Sequence, residues 1–374
     1  MRVPFYNIKA QYDELQPELD AAVHDVLSSG TYTISGGTKC SDLEKDLCLL
    51  LDVRHAISVN SGADALRIML DAAGIGRGDE VITTAFTFVA SVEAIVQTGA
   101  TPVFVDIDPR TFNIDPAAIE AAASPRTKAI MPIHLFGQMA DTDAIQTVAS
   151  KHGLVVLEDA AQAIGATRHG RAAGSFGLSA GFSFYVTKNL GAAGDAGLIV
   201  TNDDTVAEKC RAMRVHGMGR ERYYYDYLGY TSRMDEIQAA VLRVKLGRLG
   251  SWNTHRSQVA AAYSTALSGT TLTLPAVTPG NVHAWHQYTV RTSRRDALQE
   301  HLKAAGIDSM IFYPVPIHHH APYRQFGREG SLPVTEACSR EVLSLPIHQH
   351  LPLEHVKFVA EQVVAFAGAT AARH

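Results

Sequence analysis

At 374 residues the chain is longer than a single hydrophobic core usually supports, so two domains are expected. With 46% hydrophobic and 19% charged residues it fits neither a disordered chain nor a disulfide scaffold. A net charge of −5 with no Lys/Arg block excludes a nucleic-acid footprint and a polybasic membrane patch.

Met1-Arg2 leads directly into Val3-Pro4-Phe5 without the apolar stretch of a secretory signal. No later apolar run is long enough to span a bilayer, so a cytoplasmic protein is expected. From residue 56 onward, short β-branched runs alternate with amphipathic segments, the pattern of βαβ units around a largely parallel sheet. Strands are predicted at Ala56 to Asn60, Glu80 to Thr84, Pro102 to Asp106, Lys128 to His134, Leu154 to Glu158, Gly181 to Tyr185 and Leu198 to Thr201. Ser61 to Ala73 reads as a helix with Leu66, Met69 and Leu70 on one face, and Asp115-Pro116 as the cap and first turn of another. One long helical pattern runs from Asp235 past Trp252 to Leu267 and forms the hinge between domains 1–249 and 250–374. Beyond Pro275 come a strand at His286 to Val290, a helix at Arg295 to Ala305, a strand at Ile307 to Tyr313 and a last helix at Leu353 to Ala367. These make a smaller α+β domain.

Cys40, Cys48, Cys210 and Cys338 form no CxxC pair, which points to reduced thiols. The run His318-His319-His320, with His348 and His350, invites a metal reading. No HExxH motif or carboxylate-rich cluster accompanies it, and no metal is expected.

Three features carry chemistry. Asp159 stands where an apolar strand ends, the edge at which open α/β sheets bind ligands; by itself such a residue reads equally well as a helix cap. Lys188 follows an apolar aromatic strand and precedes a glycine-rich turn, and a lysine in an apolar pocket loses its proton easily. Asn60-Ser61-Gly62-Ala63 joins a strand to a helix, where backbone N–H groups suit a phosphate, although a plain Ser-capped turn looks the same. Together they supply an amine, a carboxylate and phosphate donors, the parts needed to bind pyridoxal 5′-phosphate (PLP) through a Schiff base at Lys188. Phe88 is placed to stack on the cofactor ring.

With these motifs the chain resembles the DegT/StrS family of PLP-dependent sugar aminotransferases, of the aspartate aminotransferase superfamily. The resemblance rests on Val3-Pro4-Phe5, Asn60-Ser61-Gly62, Phe104-Val105-Asp106, Glu158-Asp159-Ala160-Ala161-Gln162, Thr187-Lys188-Asn189-Leu190-Gly191, Ser232-Arg233 and Leu343-Ser344-Leu345-Pro346. It implies a three-layer α/β/α fold type I, with a mainly parallel sheet and a smaller C-terminal α+β domain. It makes Lys188 the Schiff-base lysine, Asp159 the partner of the pyridine nitrogen and Gln162 a donor to the ring hydroxyl, with Ser183, Gly62 and Ala63 around the phosphate. It further implies a homodimer with shared active sites, in which residues around 220 to 233 serve the neighbouring subunit.

Two positions depart from the family pattern: Ala63 where Thr or Ser is usual, and Thr231 where Asn usually reaches the partner's phosphate. Arg220 to Tyr227, with Tyr223, reads either as a loop over a nucleotide-sugar diphosphate or as tyrosine packing at a dimer contact. Tyr313 and His318 belong to a segment that lines the substrate entrance in relatives. The implied reaction transfers an amino group from L-glutamate to a keto group of a nucleotide-linked sugar, with C-3 of a dTDP-linked 3-keto-6-deoxyhexose favoured. The alternatives are PLP-dependent sugar dehydration or deoxygenation, whose enzymes generally replace the lysine with His, and a non-catalytic PLP-binding regulatory protein.

Overall fold

The computed structural model describes residues 1–371 of the chain. Seven strands build the main sheet: β1 (His55–Val59), β2 (Glu80–Thr84), β3 (Thr101–Val105), β4 (Thr127–Ile130), β5 (Val155–Asp159), β6 (Ser179–Ser183) and β7 (Gly197–Thr201). Their spatial order is β1-β7-β6-β5-β4-β2-β3. β7 runs antiparallel to both of its neighbours and the remaining pairings are parallel. All seven strands fall where the hydrophobic runs predict them, to within a few residues.

Side-chain alternation gives the sheet two buried faces. Val81, Ala129, Leu157 and Ile199 pack on one face against the helices Gly62–Ala72 (α3), Val89–Gln97 (α4) and Asp204–Met213 (α7). Their sequence neighbours Ile82, Ile130, Val156, Leu198 and Val200 point the other way. There they meet Lys39–Leu51 (α2), Pro116–Ala122 (α5), Thr142–His152 (α6) and Glu236–Leu246 (α8). The result is a three-layer α/β/α unit with a mainly parallel sheet.

The expected long helix is two. Gly247 closes α8, and Leu249–Ala266 (α9) restarts after Arg248; glycine holds helical conformation poorly. Two N-terminal helices lie outside the predicted elements: Ile8–Ser29 (α1), whose start is capped by Asn7, and α2, whose N-cap residue Thr38 makes no side-chain cap. The N-terminus of α2 is closed from a distance, with Lys39 N and Cys40 N donating to Glu236 at 2.6 and 3.2 Å.

The C-terminal unit is a two-stranded antiparallel sheet, β8 (Tyr288–Arg291) with β9 (Val342–Leu345). Arg295–Ala304 (α10), Leu353–Ala371 (α12) and the end of α9 pack around it, and Pro333–Glu341 (α11) leads into β9. Val3 enters this core beside Tyr263, Tyr288 and Leu298. The expected strand at Ile307 to Tyr313 is reduced to isolated bridges, Val3 to Ile307 and Met310 to Ser344. Its two ends pair with different partners, so no ladder extends, and the chain then turns toward the cavity described next. Among the described residues no helix is long and apolar enough to cross a membrane.

Candidate active site

The carboxyl ends of the parallel strands open onto a cavity of about 380 Å³. It is lined from the main sheet by Asp159, Ser183 and Lys188, and from the rest of the chain by Tyr6, His286 and Tyr313 among others. Position at the strand ends follows from the topology, since the polar residues that terminate apolar strands lie at the sheet's C-terminal edge.

At the end of β5, alternation sends Glu158 and Asp159 to opposite faces. Asp159 is buried beside the cavity; its Oδ2 accepts a hydrogen bond from Ser91 Oγ at 2.6 Å and its Oδ1 one from Ala161 N at 3.1 Å. Thr87 Oγ1 lies 3.0 Å from Ser91 Oγ. Because Ser91 gives its proton to the carboxylate, Thr87 is the donor in that pair, and a short hydroxyl relay ends on Asp159. Burial pushes the Asp159 carboxyl above the usual carboxylate range, opposed by the bonds from Ser91 and Ala161 and by the charge of Lys188.

Lys188 stands in a turn closed by its own N–H bonding to Tyr185 O at 2.8 Å. Its Nζ has no hydrogen-bond or ion-pair partner among the described residues. Burial draws the amine down to about 8, with Asp159 opposing the shift. An amine at that value is neutral for much of the time near pH 8, as a nucleophile and a proton carrier need to be.

The opposite end of the cavity is the N-terminus of α3. Ser61 Oγ caps the helix by accepting from Asp64 N at 3.1 Å. The N–H groups of Gly62 and Ala63 have no acceptor among the described residues and line the cavity. Only glycine fits at 62: a Cβ there would lie 2.6 Å from Ser183 Cβ. Gly197 plays the matching part behind the turn, where a Cβ would run into Ser61 O. Ser232 Oγ braces the loop by donating to Asp64 Oδ2 at 2.7 Å and accepting from Asn60 N at 3.2 Å.

Between these ends, Gln162 Oε1 accepts from Phe136 N at 2.7 Å while its Nε2 donates to Tyr313 Oη at 3.1 Å. The second Nε2 proton of Gln162 is left for a ligand. Burial holds the Tyr313 hydroxyl protonated, well above the usual phenol range. Phe88 sits at the mouth, 56% exposed, with its ring 6.4 Å from that of Tyr313. The residues suit PLP: an unpartnered amine, a buried carboxylate, two free N–H groups at a helix N-terminus beside the Ser183 hydroxyl, and an aromatic ring at the mouth.

Lys188, Asp159, Gln162, Ser183, Gly62, Ala63, Phe88 and Tyr313 thus share one cavity. Three other expected site residues lie outside it. His318 is buried and turned toward Glu336 Oε1, 3.2 Å from its Nε2. Thr231 is exposed, with Oγ1 3.1 Å from His216 Nε2. Tyr223 is 69% exposed on the Arg220 to Tyr227 segment. Sequence reasoning missed Ser91, Thr87, Tyr6 and His286. Thr87 and Ser91 carry a legible signal, hydroxyls four residues apart flanking Phe88, whereas Tyr6 and His286 reach the cavity from chain segments with no motif of their own. His286 Nδ1 lies 3.2 Å from Asn189 Oδ1, and burial, together with nearby Lys188, holds its ring well below the usual histidine range and therefore neutral.

A model of the DegT/DnrJ/EryC1/StrS aminotransferase family matches residues 13–364. The pleiotropic regulatory protein of Geobacillus stearothermophilus is 48% identical over 370 residues, covering 98% of this chain and 99% of that protein. The dTDP-3-amino-3,4,6-trideoxy-alpha-D-glucose transaminase of Streptomyces venezuelae is 47% identical over 352 residues, covering 94% and 92%. Among solved structures, S. venezuelae DesV in complex with a ketimine intermediate superposes with a TM-score of 0.95 at 46% identity, covering 98% of each chain.

Proposed function

Because this chain belongs to the DegT/DnrJ/EryC1/StrS aminotransferase family, we propose that it moves the amino group of L-glutamate to C-3 of a dTDP-linked 3-keto-6-deoxyhexose in two alternating half-reactions. The enzyme depends on PLP. One observation carries the reading: Lys188, Asp159, Gln162 and the free N–H groups of Gly62 and Ala63 converge on a single cavity. The nucleotide and the sugar carbon rest on the transaminase of S. venezuelae, with which 47% of residues are shared.

When bound, PLP supplies a carbonyl carbon for amines and a ring that takes up the electron pair released beside the nitrogen. The chain's residues do the rest. Lys188 Nζ would hold the cofactor, and its amine would take the proton from the donor's α-carbon and give one to the sugar carbon. Asp159 holds a proton on the ring nitrogen, and the relay from Thr87 through Ser91 keeps its carboxylate charged and oriented. Gln162 Nε2 and the Ser183 hydroxyl orient the ring hydroxyl and the phosphate, and the α3 N-terminus offsets the phosphate charge. Dehydration on the same fold, which replaces the lysine with histidine, finds no support in a site built around Lys188.

The reading includes a homodimer. Among the described residues Lys188 is the only Lys or Arg lining the cavity, too little charge for a sugar diphosphate. Arg220, ion-paired with Glu208 at 3.5 Å, and Arg222 are both exposed on the segment that would meet a partner's cavity. An apolar groove formed by Ile8, Tyr12, Leu19, Leu27, Val186 and Val241 offers a face for the second copy.

To test the function, PLP-loaded protein is mixed with L-glutamate alone and then with the dTDP-linked keto-sugar. The expected result is one equivalent of 2-oxoglutarate per chain in the first step and an amino sugar, seen by mass spectrometry, in the second. Absence of 2-oxoglutarate would remove glutamate as donor. Equal turnover of UDP- and GDP-linked keto-sugars would remove the nucleotide assignment.

A further inference from the structure

Away from the cavity, three side chains from two elements converge. His318 and His319 share one 3-10 turn, Ile317–His319, and Glu336 lies in the first turn of α11. Their donor atoms all lie within 4.8 Å of one another. Glu336 Oε1 is 3.2 Å from His318 Nε2 and 3.7 Å from His319 Nε2. We infer that His318, His319 and Glu336 form a binding site for a divalent transition-metal ion of the zinc class, with a fourth position left to water.

The spacing supports this. Imidazole nitrogen and carboxylate oxygen bind zinc at roughly 2.0–2.2 Å, and a tetrahedral arrangement then sets donor atoms about 3.4 Å apart. The two observed separations straddle that value. The donor set also discriminates among ions: two imidazoles with one carboxylate suit zinc and its neighbours, whereas calcium and magnesium prefer oxygen throughout.

Hydrogen bonding alone accounts for the cluster poorly. Glu336 Oε1 already accepts from Gly330 N at 2.7 Å and is within reach of His318 Nε2. His319 Nε2, in contrast, is buried with no hydrogen-bond partner, and its 3.7 Å to the carboxylate is too long for one. A polar nitrogen shut away from water without a partner carries a desolvation cost that a metal bond removes. His318 Nδ1 is buried without a partner as well, so the ring's polar anchoring runs through Nε2, the atom that would bind the ion. The His319 side chain is 26% exposed, which leaves a path for the ion and its water.

The ion would act as a staple and not in the chemistry. Ile317 N donates to Ala85 O at 2.9 Å, which fixes the histidine turn to the main unit. The first turn of α11 is fixed separately, with Val334 N and Thr335 N each 2.8 Å from an Asp106 carboxylate oxygen. A metal bridging the two would tie the segment that carries Tyr313 into the cavity to the helix behind it. The sequence displays the histidine run but hides the carboxylate, which arrives from another helix.

The experiment titrates the purified full chain, with PLP bound and no amino donor present, using Co(II) alone and then Zn(II). Visible bands of tetrahedral Co(II) should grow to one equivalent and collapse on adding Zn(II), and Zn(II) should raise the Tm. His319→Asn, which leaves the His318 and Glu336 contact in place, should weaken uptake at least about tenfold and abolish the Tm rise. His320→Asn, an exposed neighbour, should change neither. The inference is overturned if the native chain takes up no stoichiometric Co(II), or if His319→Asn binds it as tightly as the native chain.

Discussion

Replacing Ser91 with Ala removes the donor 2.6 Å from Asp159 Oδ2 and leaves Ala161 N as the remaining hydrogen bond to that carboxylate. A hydrogen bond to a charged group contributes about 1.5–3 kcal/mol. At about 1.4 kcal/mol per pH unit, its loss raises the Asp159 pKa by roughly 1–2 units. The sign follows from which form is stabilised: the bond favours the ionised carboxylate, so removing it favours the protonated one. Burial already pushes this group upward, and with Ser91 gone only the Ala161 N–H and the charges of Lys188 and His134 still oppose it. The acid limb of kcat/KM for the glutamate half-reaction, followed by stopped-flow absorbance of the bound cofactor, should therefore move up by about 1–2 units. Thr87→Val, one bond further from Asp159, should move it in the same direction by less. A Ser91→Ala enzyme slowed by the same factor at every pH, with the limb unmoved, would refute the relay and leave Ser91 as a packing residue.

Lys188→Ala should abolish both the visible band of lysine-bound cofactor and turnover while leaving the far-UV circular dichroism intact; retained turnover would reassign the base. Gly62→Ala drives a methyl into Ser183, so the phosphate turn must shift, and the dissociation constant for PLP, measured by fluorescence, should rise at least about tenfold. Ala63→Ser, at an exposed position on the same turn, should tighten PLP binding by the worth of one hydrogen bond, about 0.5–1.5 kcal/mol or roughly two- to tenfold. Burial lowers His283 and His348 to about 3, from 6.5 in the unfolded chain. Both stabilise the fold fully above pH 6.5 and lose that contribution as pH falls toward 3, on the order of 5 kcal/mol each at most. Urea midpoints measured across that range should fall steeply for the native chain and less steeply for His283→Gln; parallel slopes would show that His283 does not drive acid unfolding.

How much of this was legible depended on whether the determining interactions are local. The seven strands of the main sheet could be read because strands buried on both faces must be short apolar runs, and a hydrophobic run is a local property. Lys188, Asp159 and Gly62 could be read because each sits at a strand end, the edge where a ligand is expected. Whereas α1 carries a local cap in Asn7, the start of α2 could not be read, since it borrows its cap from Glu236, nearly two hundred residues away. Tyr6 and His286 were hidden for the same reason. They line the cavity because the first residues and the C-terminal unit fold over the sheet edge, and no local pattern records that contact.

Glu158 and Asp159 show where a motif stops being informative. Adjacent and chemically almost identical, the two carboxylates are sent to opposite faces of β5 and meet opposite fates. Burial alone would raise Glu158, but His134 Nε2 at 2.8 Å and the N–H groups of Gly174, Phe176 and Gly177 surround it, and its pKa is lowered instead. His134 Nδ1 accepts from Ala140 N, which places the ring proton on Nε2, facing Glu158. Every strong acceptor site on Glu158 is thereby used internally, and the residue ties the end of β5 to two turns. Asp159 has one bond per oxygen, a raised pKa and an open side toward Lys188, so it retains the capacity to hold a further proton donor. The number of donors already spent on each carboxylate, and not its place in the sequence, separates the one that builds the edge from the one that works there.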